Sequence, residues 1–165
     1  MAEIGLVRDG KDVLRTQLNP RKDAPEQGAE KGGPMQILVV EDHADTLRML
    51  ELFLRALGHQ TDLARNVQEA LALAASAEKG FDLLLSDLQL PDGDGWELLW
   101  RLRKAGREPK RAIALSGWGS EEDKAKSQRA GYQVHLVKPA TAGILKAKLA
   151  EAAEAIHATG RVSSQ

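Results

Sequence analysis

No cysteine occurs among the 165 residues. Disulfides, thiolate metal sites and cysteine nucleophiles are therefore excluded. Aromatic residues make up only 4% of the chain, so a core must be built from Leu, Ile, Val and Ala. Neither sign of charge prevails: 23 Lys and Arg stand against 24 Asp and Glu, a formal net charge of -1. No global basic field exists to hold nucleic acid, and such binding would need a local patch. Apolar runs extend for a few residues, far short of the roughly 20 that span a bilayer. The N-terminus lacks the apolar stretch of a signal peptide, and a cytoplasmic location is the expectation. What is present, 42% hydrophobic residues, suits one soluble domain with a tail. A chain of this size buries about two-thirds of its unfolded surface without a staple.

The composition divides the chain. Asn19 to Pro34 contains no Leu, Ile, Val or aromatic residue. Such a stretch cannot bury enough apolar surface to offset its ordering entropy and reads as a linker. Ile4 to Leu18 carries scattered aliphatics that suit a short strand or helix, or a tail. The expected organisation is an N-terminal flexible segment over 1–34, a folded domain over 35–158 and a short C-terminal tail over 159–165.

From Met35 onward, strand and helix patterns alternate. Ile37 to Val40 and Phe81 to Ser86 are apolar runs of the kind buried on both faces of a sheet. Ala44 to Leu57 places Leu47, Leu50, Leu54 and Leu57 on one helical stripe, and Gly58 follows as a stop. Asp45 is expected in its N-cap region. His59 to Ala64 is a less hydrophobic strand at or near a sheet edge. Asn66 caps a helix that runs to about Ala77. Trp96 to Lys104, Glu121 to Ala130 and Thr141 to about Ala158 are further helices. Arg111 to Ser116 and Tyr132 to Val137 are further strands. Five strand–helix units argue for a doubly wound α/β domain with a five-stranded parallel sheet. In such sheets the chemistry sits beyond the carboxyl ends of the strands.

Those ends carry Glu41 and Asp42, then Asp87, then Ser116, then Lys138. Three converging carboxylates repel one another unless a cation sits among them. Oxygen ligands without Cys or His select Mg2+ or Mn2+. A lysine and a hydroxyl beside them suit a phosphoryl group.

The acidic pair, Ser86-Asp87-Leu88-Gln89-Leu90-Pro91-Asp92-Gly93-Asp94-Gly95, Ala114-Leu115-Ser116-Gly117 and Val137-Lys138-Pro139 occur in order and at matching spacing. Together they resemble the receiver domain of two-component response regulators, over Met35 to about Ala158. The resemblance implies a flavodoxin-like (βα)5 fold with strand order 2-1-3-4-5. It also implies that Asp87 accepts phosphate from the phosphohistidine of a histidine kinase or histidine phosphotransfer domain. Asp42 would bind Mg2+ directly, Glu41 mainly through water, and Gln89 through its backbone carbonyl. Ser116 and Lys138 would contact the phosphoryl group, and Lys138 would pair with Asp87 beforehand. The Lys138–Pro139 bond is expected to be cis. The role is that of a phosphoacceptor signalling domain rather than an enzyme, acting on an unknown downstream protein.

Some positions depart from the family pattern. His135 stands where the switch position usually carries Tyr or Phe, three residues before the lysine. Trp118, two after Ser116, is large for a place bordering the phosphorylation site. With Gln89 it is a candidate for tuning phosphoryl lifetime, Trp118 as a shield and Gln89 by orienting water. Gly93 replaces the usual Met. Tyr132-Gln133-Val134 lacks the acidic pair of regulators that dimerise through their last helices, so that dimer is not expected. Asp92 and Asp94 are better explained by turn chemistry than as metal ligands. His43, His59 and His157 are expected to be exposed and structural, and Trp96 and Trp100, four apart, to pack together. The alternatives are a pseudo-receiver that binds partners without phosphorylation and an FMN-binding flavodoxin-like protein. Intact Glu41, Asp42, Asp87, Ser116 and Lys138 oppose the first, and an acidic pair that would repel the FMN phosphate opposes the second. A receiver of this kind stands alone or belongs to a hybrid histidine kinase, and the N-terminal segment favours the latter.

Overall fold

The computed structural model describes residues 32–160. The expected strand or helix within Ile4 to Leu18, most of the linker and the tail beyond Gly160 lie outside the described residues. Five strands form one parallel sheet: β1 (Gln36–Val40), β2 (Gln60–Ala64), β3 (Leu83–Asp87), β6 (Arg111–Ser116) and β7 (Val134–Val137), in the order β2-β1-β3-β6-β7. Two short strands, β4 (Gln89–Leu90) and β5 (Gly93–Asp94), make an antiparallel hairpin just beyond β3. Counting sheet strands alone, the order is 2-1-3-4-5, as the resemblance implied. The helices are α1 (Ala44–Ala56), α2 (Val67–Ser76), α3 (Gly95–Lys104), α4 (Glu121–Ala130) and α5 (Ala142–Gly160).

Alternation along the strands builds two cores. Ile37 and Val39 of β1, with Leu83, Leu85, Ile113 and Leu115, pack against Leu47, Leu50 and Leu54 of α1 and Leu145 and Leu149 of α5. Leu38, Val40, Leu84, Ala112 and Ala114 point the other way, toward Val67 and Ala70 of α2 and Leu98, Leu99 and Leu102 of α3. Successive strand side chains face opposite sides, so both faces must be covered for such apolar strands to be stable. The two edge strands are the less buried ones, β2 and β7.

Helix ends follow from local chemistry. Gly58 adopts φ +88°, and the amides of Gly58 and His59 bond back to the carbonyls of Arg55 and Leu54. That left-handed closure suits glycine and turns the chain into β2. Asn66 caps α2 through the Glu69 amide, as expected. The N-cap of α1 is His43, with Asp45 in the first turn, so Asp45 complements the helix dipole rather than capping it. In α4 only Ser127 is buried. Its first turn is closed by a Ser120–Asp123 capping box, and it has little apolar packing. None of the described helices is long and apolar enough to cross a membrane.

Candidate functional site

The parallel sheet brings the sequence-predicted residues to its carboxyl edge. Glu41 and Asp42 follow β1, Asp87 ends β3, Ser116 ends β6 and Lys138 follows β7. β1 and β3 are neighbours at the centre of the sheet, where the strand order reverses. The Lys138 ammonium lies 2.7 Å from Glu41 Oε2 and 2.9 Å from Asp87 Oδ2. Both carboxylates are nearly inaccessible, at 1% and 7% side-chain exposure. Burial lowers the pKa of Lys138, but the hydrogen bonds and charges of Glu41 and Asp87 outweigh it and the net shift is upward. The peptide bond to Pro139 is cis, as the resemblance implied.

Asp87 is held from a second side. Its Oδ1 accepts the Gln89 amide at 2.9 Å, and its carbonyl accepts the Ser86 hydroxyl at 2.7 Å. Gly95 closes in behind: a Cβ there would stand 2.7 Å from the Asp87 carbonyl oxygen and 2.9 Å from Leu88. Only glycine lets α3 start this close to the acceptor strand. Tyr132 fixes the same turn by donating its buried hydroxyl to the Gly95 carbonyl at 2.6 Å. Burial pushes the Tyr132 phenol well above its ordinary pKa.

Three carboxylates meet here, and the Lys138 ammonium bonds two of them, Glu41 and Asp87. Asp42 Oδ1 is buried and has no hydrogen-bond partner. This orphaned oxygen and the uncompensated charge fit a divalent cation held by oxygen donors. His43, expected to be merely exposed, turns its ring onto the cluster. Its Nδ1 is 3.0 Å from both Glu41 Oε1 and Asp42 Oδ1. The Glu41 hydrogen bond, then the Asp42 and Glu41 charges, raise the pKa of its imidazole.

Ser116, fully buried, accepts the Trp118 amide at 3.0 Å. The Trp118 carbonyl accepts Nε2 of His135 at 2.7 Å. Trp96 and Trp100 do not pair as expected. Trp96 faces inward, stacked on Trp118 with ring centres 5.6 Å apart, while Trp100 is 54% exposed beneath the Lys104 ammonium. Four residues leave the two rings of α3 about 40° apart around the helix, and Trp96 is drawn inward because its N–H reaches Ser127 at 2.9 Å. The Lys126 ammonium lies over the Trp96 ring, 3.6 Å from its centre.

Sequence reasoning missed three of these partners. Ser127 had a faint signal, being a small polar residue in a helix almost devoid of apolar ones. His43 had one as the neighbour of the acidic pair. Asp92 had none: its carboxylate reaches across to the Val67 and Gln68 amides at the start of α2. Asp94 caps α3 through the Glu97 amide. Both aspartates serve helix starts, Asp94 at its own helix and Asp92 at a distant one, where turn chemistry alone was expected.

A doubly wound domain with acidic residues, a hydroxyl and a lysine at its carboxyl edge is the arrangement that the resemblance implied. Residues 37–150 match the response regulator receiver domain family model. The chain belongs to that family. It is 39% identical over 106 residues to an uncharacterized 14.6 kDa protein in the sodA1 3′ region of Leptolyngbya boryana, covering 64% of this chain and 79% of that one. It is 32% identical over 131 residues to the sensor histidine kinase RcsC of Salmonella typhimurium, covering 79% of this chain but only 14% of RcsC. A receiver domain protein (CheY-like) of Methanospirillum hungatei JF-1 superposes with a TM-score of 0.67 at 28% identity, over 75% of this chain and 97% of that one.

Proposed function

We propose that this domain accepts a phosphoryl group onto Asp87 from the phosphohistidine of a kinase or phosphotransfer domain. The observation that carries the reading is the Asp87 carboxylate itself. It is buried, aimed by the Gln89 amide and paired with Lys138 at the carboxyl edge of the sheet. An Asp87 carboxylate oxygen attacks phosphorus; the new P–O bond forms as the P–N bond breaks. The imidazole leaves with that bond's electron pair, as a neutral ring when its other nitrogen carries a proton. Lys138 balances charge on the phosphoryl oxygens, and the Ser116 hydroxyl donates to one of them. Glu41, Asp42, Asp87 and the Gln89 carbonyl would hold Mg2+, which supplies further neutralisation of the phosphoryl charge. Release of Lys138 and Ser116 from their resting partners then alters the Trp118–His135–α4 face toward a downstream protein. The match to a segment of RcsC supports a setting within a sensor histidine kinase, and the match over most of a 14.6 kDa protein supports a single-domain regulator.

Incubation with a small-molecule phosphodonor and Mg2+, followed by intact mass, tests the reading. One added phosphoryl group is expected, absent in Asp87→Asn and absent with EDTA. An Asp87→Asn chain that gains the same mass at the same rate refutes it.

A further inference from the structure

We propose that His43 is an additional donor to the divalent-metal site formed by Glu41, Asp42, Asp87 and the Gln89 carbonyl, and that this nitrogen shifts the site toward borderline transition ions over Mg2+. The proposal rests on the receiver reading for the existence of that site and goes beyond it in naming a ligand and a metal class. One donor atom from each of Glu41, Asp42 and His43 lies within 4.8 Å of the others. The His43 ring is 75% exposed and has free access to water, yet it folds back onto two carboxylates. A single Nδ1–H has one in-plane direction and satisfies one acceptor. It serves Glu41 Oε1, and Asp42 Oδ1, equally 3.0 Å away, is left without a hydrogen bond. A metal ion has several coordination directions and satisfies all three at once. The spacing agrees with this: two ligands bound at about 2.1 Å and at right angles are about 3.0 Å apart. Both Nδ1···O separations are 3.0 Å.

The backbone holds this arrangement in place. The Glu41 amide bonds the Ala64 carbonyl of β2, and the His43 carbonyl accepts the Leu47 amide of α1. The three donors therefore belong to one turn pinned between a strand and a helix. Lys138 is engaged by Glu41 Oε2 and Asp87, so it does not compensate Asp42. Chemistry sets the metal class. Mg2+ favours oxygen donors and gains little from imidazole, whereas Co2+, Ni2+ and Zn2+ gain substantially. An all-oxygen site already prefers these ions to some degree, so the diagnostic quantity is what removal of the imidazole does to each metal.

Calorimetric titration of the full chain with CoCl2 and with MgCl2 tests the assignment, in wild type, His43→Ala and Asp42→Asn. His43→Ala is expected to lower Co2+ affinity at least tenfold more than it lowers Mg2+ affinity. Asp42→Asn is expected to weaken both ions. Equal loss of the two ions in His43→Ala, loss of neither, or Co2+ affinity that survives Asp42→Asn overturns the proposal. Phosphorylation of the wild-type chain with Mg2+ decides the receiver reading separately. An Asp87-phosphorylated chain whose Co2+ affinity ignores His43 sinks the ligand assignment alone. A chain that loses Co2+ selectivity in His43→Ala but never accepts phosphate sinks the receiver reading alone.

Discussion

The Ser127 hydroxyl lies 2.8 Å from Nδ1 of His135 and ties α4 to β7. The proton arrangement follows from the neighbours. Nε2 of His135 faces the Trp118 carbonyl, which only accepts, so Nε2 carries the hydrogen. In the tautomer with its single hydrogen on Nε2, Nδ1 accepts from Ser127, whose oxygen accepts the Trp96 indole N–H. Through Trp118 the chain continues to Ser116, because the amide of Trp118 bonds the Ser116 hydroxyl. A residue expected to touch phosphate is thus linked through the backbone of one residue, Trp118, and one imidazole to the sparsely buried α4.

Ser127→Ala should therefore do more than remove a hydroxyl. It leaves the buried Trp96 N–H and His135 Nδ1 without partners. Such orphaned groups cost about 1–3 kcal/mol. A lower urea midpoint is expected, with hydrogen exchange accelerated in α4 and β7 ahead of the rest. An unchanged midpoint would show that water replaces the hydroxyl without penalty.

The fold was readable because its cues were local and repeated. Leu47, Leu50 and Leu54 announced the buried face of α1, and the apolar strands announced a sheet covered on both sides. The site residues were readable because each sits at or just beyond the carboxyl end of a strand, so parallel topology gathers them. What escaped depends on contacts distant in the chain. Nothing around Asp92 signals that it reaches α2, 25 residues earlier. The Trp96–Trp100 pair failed because spacing on one helix competes with Ser127 and Trp118, which lie on other elements.

Lys138→Met should disturb the unphosphorylated domain as well as the reaction. Glu41 and Asp87 would both lose the ammonium that bridges them. Breaking a buried ion pair by removing one partner costs about 3–5 kcal/mol, and the 29% exposure of Lys138 puts the expectation at the lower end. Denaturation in EDTA should register the loss, and Mg2+ should restore part of it by binding the folded state. An equal midpoint in both proteins without metal would show that the pair contributes no net stability.

Asp92 gives the structure an acid-sensitive tie. Burial tends to raise its pKa, but the Val67 and Gln68 amides prevail and hold it below the ordinary carboxylate value. A depressed folded-state pKa means stability present above the unfolded value, near 3.8, and lost as pH falls through the folded one. Asp92→Ala should lower stability by about 1 kcal/mol at neutral pH, the usual effect of losing a helix cap. The difference from wild type should shrink as pH falls below 4, in a chemical denaturation series across that range. A gap that stays constant to pH 2 would place the contribution elsewhere than in the charged carboxylate.

Trp118 is expected to limit the access of water to a phosphorylated Asp87. Its amide is fixed by Ser116, its carbonyl by His135 and its indole by the stack on Trp96. The loop that follows β6 is therefore held at both backbone groups and one ring, with the side chain still 37% exposed. A phosphoaspartate is lost to in-line attack by water, so its lifetime depends on water access and on groups that orient the water. The indole offers bulk and one N–H, with no acceptor to position an attacking water. Gln89, two residues after Asp87, is the nearer candidate for that task. Trp118→Ala removes bulk and frees the loop, and both effects admit water. Autodephosphorylation should accelerate about tenfold, equivalent to about 1.4 kcal/mol in the barrier. Trp118→Phe, which keeps an aromatic face for Trp96, should fall between the two. Phosphoryl half-life at equal Mg2+ reads the difference. A half-life in Trp118→Ala equal to or longer than that of the wild type would refute shielding and leave the indole as part of a partner surface.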